Sequence, residues 1–211
     1  MMQWKRMPLG PLQTNCYILW DDANRCLIID PGAEGEKLVS WLDAQNLKPV
    51  AILLTHAHFD HIGAVDTVRN TYHVPVYLHE KEAEWLIDPG LNGSGLFGMG
   101  NIQTAPADHL LSSEKTLSIG GFTLGLFETP GHSPGSLSYY VQSEGIVFAG
   151  DTLFMGSIGR SDLPGGNHEQ LLSSIHDHLL TLPESTAVLP GHGPETTVGE
   201  EMDGNPFLNG F

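Results

Sequence analysis

The chain has 211 residues, with 25 Asp plus Glu against 9 Lys plus Arg, a formal charge of −16. That field repels polyanions and excludes non-specific binding to DNA or RNA. With 40% apolar and 16% charged residues the composition is that of a globular chain with a sizeable core, not of a disordered one.

No apolar run reaches the ~18–20 residues of a membrane span. Lys5 and Arg6 precede no apolar stretch with a small-residue cleavage site, so no signal peptide is expected. Cys16 and Cys26 are too few for a disulfide scaffold. A reduced, cytoplasmic compartment follows as the expectation, with both cysteines as buried small hydrophobes.

Residues 1–211 hold no low-complexity tract, charge block or short-period repeat, and they read as one domain. Residues 26–30 (CLIID) form a buried strand stopped by Pro31-Gly32. Over 35–45, Leu38, Val39, Trp41 and Leu42 recur at helical spacing. Residues 51–55 (AILLT) are a second buried strand, 62–72 a helix, 74–78 a strand and 80–87 a short helix. Residues 88–109, rich in Gly, Pro and Asn, hold no pattern and read as a long loop. Loops of that length are often functional lids, and Leu96, Phe97 and Met99 are its candidate apolar contacts.

Strands over 116–119 and 122–128 flank Gly120-Gly121, a hairpin signal. A second pair, 137–141 and 146–149, follows. Asn167 is a plausible N-cap for a helix running to about residue 182, and 186–189 is a last short strand. Strands alternating with helices predict a layered α/β architecture, two sheets with helices outside.

The segment that carries chemistry is Thr55-His56-Ala57-His58-Phe59-Asp60-His61, directly after a strand and before a helix. Imidazole and carboxylate without thiolate suit zinc, iron or manganese. In an extended stretch His56 and His58 point to one face, and Asp60 and His61 turn to a second point, a spacing natural for two adjacent metals. Residue frequencies alone would produce H-x-H-x-D-H in only roughly two of a thousand shuffled chains. The bland alternative is a solvated His-rich turn. Three strand-end segments weigh against it: Thr129-Pro130-Gly131-His132, Gly150-Asp151-Thr152 and Pro190-Gly191-His192 each add one ligand. Catalytic groups gather on such loops over a rigid scaffold.

This ordered set, from about Leu12 to Phe207, resembles the metallo-β-lactamase superfamily. Within it the chain looks most like the short bacterial variety of the glyoxalase II branch, the hydroxyacylglutathione hydrolases. The run Thr55 to Gly63 keeps His61 where class B1 β-lactamases carry Arg. Gln13-Thr14-Asn15-Cys16-Tyr17, Gly150-Asp151-Thr152-Leu153-Phe154 and Gly159-Arg160-Ser161-Asp162 also look like that branch. The resemblance implies an α/β (α+β) four-layer αββα sandwich of two mixed sheets, with metals at one edge.

It further implies two divalent metal ions, zinc first with iron or manganese as alternatives. His56, His58 and His132 would hold one, Asp60, His61 and His192 the other, and Asp151 both. The implied reaction is hydrolysis of a thioester such as S-D-lactoylglutathione by a metal-bridging hydroxide, with Asp60 as the catalytic residue that orients it. Arg160 would bind a carboxylate of the substrate; its other reading is a surface Arg paired with Asp162. The chain ends 19 residues after His192, without the helical extension that supplies glutathione contacts in the longer enzymes.

The partners expected are a small-molecule thioester, with no nucleic acid and no membrane, acting on a monomer. Two alternatives stand beside this. A mononuclear-iron persulfide dioxygenase on the same fold would need only His56, His132 and Asp151. A non-enzymatic metal-stabilised binding module would need no open position. A β-lactamase reading is disfavoured by His61 and by the lack of a signal peptide. Tyr139 and Tyr140 read as core before pocket, His168, His176 and His178 as surface, and His73, His79 and His109 as structural.

Overall fold

A computed structural model describes residues 2–208. Two compact units divide the chain, Met1–Ser112 with Ile119–Gly121, and Ser113–Ser118 with Phe122–Phe211.

The first unit is built on a six-stranded mixed sheet in the order β1-β2-β3-β4-β5-β6. Its strands are β1 (Gln3–Leu9), β2 (Thr14–Trp20), β3 (Arg25–Ile29), β4 (Lys48–Leu53), β5 (Val76–His79) and β6 (His109–Leu111). The first three pair antiparallel and β3 to β6 run parallel. Parallel strands require crossovers. Helix α1 (Gly35–Ala44) carries the chain from β3 to β4, and the short α2 (Phe59–Ile62) with α3 (Val65–Tyr72) carries it from β4 to β5. Leu38, Leu42, Val65 and Val68 are fully buried and join Ile18, Ile28, Ile52 and Val76 of the sheet in one core. Each such Leu contributes roughly 1.5–3 kcal/mol.

The helix expected over 62–72 is two helices, because the turn at Gly63-Ala64 lets the ligand-bearing residues occupy a helix of their own. Residues 80–86 wind as a 3₁₀ helix, and 88–108 hold no strand or helix, as the composition predicts. Strands β1 and β6 have no clear pattern in the sequence. Both are short or edge strands with irregular burial, and β1 carries Pro8.

The second unit has its own six-stranded mixed sheet, order β14-β13-β10-β9-β8-β7. These are β7 (Thr116–Ile119), β8 (Phe122–Glu128), β9 (Leu137–Val141), β10 (Ile146–Gly150), β13 (Ala187–Pro190) and β14 (Thr196–Thr197), with a small hairpin of β11 (Leu153–Phe154) and β12 (Ser157–Ile158). The parallel pair β10 and β13 is bridged by α4 (His168–Ser174), which continues as a π-helical turn, Ile175–Leu179. Asn167 is its N-cap, the side chain accepting from Gln170 N at 3.0 Å. Leu171, Leu172, Ile175 and Leu179 bury against Val147 and Val188.

A C-terminal helix α5 (Val198–Gly204) follows a capping box at Thr197 and Glu200. It delivers Glu201, 2% exposed, to the loop beyond β10. The Glu201 carboxylate accepts from Gly156 N at 2.9 Å, Thr196 Oγ1 at 2.6 Å and Asn205 Nδ2 at 2.7 Å. Asn205 Nδ2 also donates to Ser157 O at 3.0 Å. Glu201→Ala would leave the buried Thr196 hydroxyl and Asn205 amide without this acceptor, costing about 2 kcal/mol. The expected result is a Tm lowered by about 4–8 °C in thermal unfolding; an unchanged Tm would show the latch to be idle. Among the described residues no helix is long and apolar enough to cross a membrane.

Candidate metal centre

In the first unit β4 ends at Leu53, the chain bends at Thr55, and it is extended again at His58, whose φ and ψ are −65° and 147°. The alternation of an extended chain puts His56 and His58 on one side; their rings lie 4.8 Å apart. At Phe59 the chain turns into α2, which brings His61 to 4.1 Å from His56, ring centre to ring centre. His56 and His61 are fully buried and His58 nearly so. Three buried imidazoles this close would repel one another if protonated; they fit as neutral ligands of a cation.

Their orientation is set by a residue that sequence reasoning misses. Asp30, buried at the end of β3, accepts from Thr55 N at 2.8 Å, Thr55 Oγ1 at 2.6 Å and His61 Nδ1 at 2.9 Å. Since the Thr55 hydroxyl proton goes to Asp30, its oxygen accepts from His56 Nδ1 at 3.1 Å. Both imidazoles therefore carry their proton on Nδ1 and present the lone pair of Nε2, which leaves that nitrogen able to bind a metal. Asp30 could itself be grouped with His56 and His61 as a ligand. Its oxygens are already committed to these three donors, and we place it behind the ligands.

Asp60 is held from the side by Thr14 Oγ1, which donates to its Oδ2 at 2.8 Å. The buried carboxylate of Glu82 accepts from Ala57 N at 2.6 Å, fixing the peptide between the first two histidines. Asp30 does carry a signal in the sequence, an acid at a strand end before Pro-Gly. The pairings of Thr14 with Asp60 and of Glu82 with Ala57 carry none, since the partners are 46 and 25 residues away. Gly32 explains its own identity: a Cβ there would run into the Asp60 carbonyl oxygen. Gly32→Ala must displace the Asp60 backbone, and a destabilisation above about 2 kcal/mol is expected in chemical denaturation, with weakened metal retention on dialysis. Wild-type values for both would refute this packing argument.

In the second unit His132, Asp151 and His192 stand on the loops after β8, β10 and β13. His132 is buried, and its Nδ1 donates to the Arg160 carbonyl at 2.7 Å, again presenting Nε2. Asp151 Oδ2 lies 3.6 Å from His132 Nε2 and 3.5 Å from His192 Nε2. In the first unit Asp60 Oδ2 lies 3.6 Å from His61 Nε2. These separations are long for hydrogen bonds. Two atoms each about 2.0–2.2 Å from one tetrahedral ion stand about 3.3–3.6 Å apart, so the separations suit co-ligands. The residues fit divalent metal ions on this ground. Gly159 backs onto the Asp151 carbonyl so closely that no Cβ could intervene. Gly191 N donates to Gly150 O at 2.8 Å, tying the His192 loop to the Asp151 loop.

The Arg160 side chain is exposed and makes a two-pronged bond to Asp162, Nε to Oδ1 at 2.7 Å and Nη2 to Oδ2 at 2.9 Å. This pairing raises the arginine's pKa and lowers that of Asp162. Tyr139 is fully buried in the core, and Tyr140 is half-buried and stacks on Phe127. Cys16 and Cys26 are buried thiols; burial pushes Cys26 up to about 12 and Cys16 well above its usual value. His73, His109 and His168 are exposed, whereas His178 is half-buried and stacks on Phe127 at 5.7 Å. His79 is buried, its Nδ1 accepting from Lys81 N at 3.2 Å.

Residues 9–192 match the family model described as the metallo-beta-lactamase superfamily. A probable metallo-hydrolase of Bacillus subtilis, YqgX, is 58% identical over 210 residues, covering 100% of this chain and 99% of its own length. The hydroxyacylglutathione hydrolase GloC of Haemophilus influenzae is 36% identical, covering 96% of each chain. A crystal structure of the B3 metallo-beta-lactamase BLEG-1 is 60% identical and superposes with a TM-score of 0.97, covering 99% of this chain and all of that one. Two mixed sheets with their helices, His and Asp side chains grouped so that they fit divalent metal ions, and these likenesses agree: the chain belongs to the metallo-β-lactamase superfamily, as one of its metallo-hydrolases.

Proposed function

We propose that this metallo-hydrolase cleaves thioesters, in the manner of a hydroxyacylglutathione hydrolase, as a monomer acting on a small molecule. His56, His58 and His132 would hold one divalent ion, Asp60, His61 and His192 a second, and Asp151 both. When bound, two such ions acidify water and polarise an acyl oxygen. The observation that carries the reading is the commitment of Nδ1 in His56, His61 and His132 to protein acceptors. These imidazoles are spent as ligands and none of the three is left to protonate a leaving group. A thiolate, whose conjugate acid has a pKa of about 8.5, leaves without that help.

Asp60, steadied by Thr14, accepts a hydrogen bond from the attacking water and orients it toward the acyl carbon. The Arg160 fork, now on Asp162, exchanges that carboxylate for one on the thiol carrier. The 36% identity to GloC supports the substrate class. Purified chain loaded with zinc, and in parallel with iron or manganese, should release thiol from S-D-lactoylglutathione and lose that activity on chelation. No release with any of the three metals would overturn the reading.

A second reading, β-lactam hydrolysis, is favoured by the 60% identical BLEG-1 structure. It attacks a similar acyl carbon but must expel an amine nitrogen. A higher kcat/KM for penicillin ring opening than for any thioester would put it first.

A further inference from the structure

The first unit holds a cleft beside Asp60, of about 60 Å³, between the β1–β2 turn, the loop after β3 and the 88–108 loop. Of its eleven lining residues only Thr14 and Asp60 have polar side chains, and no Lys or Arg is among them. The Thr14 hydroxyl already donates to Asp60, so the cleft wall turns little but carbon toward a guest. Leu12, Ala33, Phe59, Met99 and Ile102 supply that carbon. The turn is pinned, since Gly10 N donates to Glu34 Oε2 at 2.8 Å. The loop is pinned as well: Phe59 N donates to Asn92 O at 3.0 Å, and Phe97 packs on Phe59 with ring centres 5.9 Å apart. The turn and the loop on either side of the cleft are thus both tied to the body of the unit.

We infer that this cleft is an acyl subsite selecting small unsubstituted alkyl chains such as butanoyl over acetyl and over 2-hydroxyacyl groups. The inference rests on the thioester reading and sharpens it. The space is small, so it suits the short acyl group; a thiol carrier needs an open exit. An anionic group would meet no counter-charge there, since no Lys or Arg lines the cleft, and a 2-hydroxyl would lose its water for carbon walls. The acyl group, not the carrier, is thus what the cleft distinguishes, and the lactoyl group is turned over but is not the best fit.

The test uses the metal-loaded full chain and thioesters of one neutral thiol, N-acetylcysteamine. From acetyl to propanoyl to butanoyl, kcat/KM is expected to rise about fourfold per methylene. The 2-hydroxybutanoyl ester should fall about tenfold below butanoyl. Ala33→Leu, which fills the cleft, should invert the butanoyl-to-acetyl ratio. Independently of turnover, neutral butanamide should shift the Met99 methyl resonance in the native chain and not in Ala33→Leu. A flat series, a preference for the 2-hydroxy ester, or a still Met99 signal would overturn the subsite. Absence of hydrolysis for every ester, with Met99 still responding, would overturn the thioester reading and leave the apolar site standing.

Discussion

Asp151→Ala is expected to cost the protein metal and at least about 10³-fold in turnover. Asp151 Oδ2 sits 3.6 Å from His132 Nε2 and 3.5 Å from His192 Nε2, the separation of co-ligands. Removing it would take away the anionic ligand that stands beside both imidazoles and, under the two-ion proposal, the charge that would offset the two dications. Metal supplies several kcal/mol of transition-state stabilisation, and each 1.4 kcal/mol is about tenfold in rate. The side chain is partly open to solvent and its deletion leaves the core intact, so circular dichroism should be unchanged. Elemental analysis after dialysis, beside steady-state thiol release, checks the result. Full metal content with native turnover in Asp151→Ala would sink the assignment of the centre.

The second large effect is expected at a residue that touches no metal. Asp30→Asn keeps the size and shape of the side chain but changes one acceptor oxygen into a donor amide. Asp30 Oδ2 receives both the Thr55 hydroxyl and His61 Nδ1. An amide nitrogen at that place faces His61 Nδ1–H with another N–H. The ring relieves this clash by moving its proton to Nε2, the nitrogen that must bind the ion. His56 feels the same change through Thr55, whose oxygen is freed to reorient. Metal affinity should fall about 10–100-fold, as for outer partners of metal-bound histidines, while the fold persists. Competition with a chelator of known affinity measures the first and thermal unfolding of the metal-free chain the second. A metal affinity equal to wild type would show that Asp30 only packs.

The candidate metal ligands are legible in the sequence because four of them lie within six residues after a strand, and the other three follow strand ends in Gly-flanked loops. Helix and hairpin positions are legible where one rule acts locally. Asn167 capping Gln170 N, the strands 116–119 and 122–128 around Gly120-Gly121, and the strand 137–141 all stand where the pattern requires. The C-terminal helix is not legible in this way, because Val198 and Glu201 are its only buried residues and so it shows no apolar stripe. Its signal is the Thr197–Glu200 capping box. The break at Gly63-Ala64 is equally hidden, since the apolar spacing runs on through it.

By its own order of residues the chain determined which side chains are candidate metal ligands, that strands and helices alternate along it, and that its two cysteines are interior. Those are properties of neighbours along the chain: period, strand ends, turn residues. Tertiary structure alone decided how the ligands are aimed. Asp30 meets Thr55 across 25 residues, Arg160 lends its carbonyl to His132 across 28 and Thr14 reaches Asp60 across 46. A hydrogen bond depends on distance and angle at its two ends, and no local pattern records the other end when the sheet brings it there.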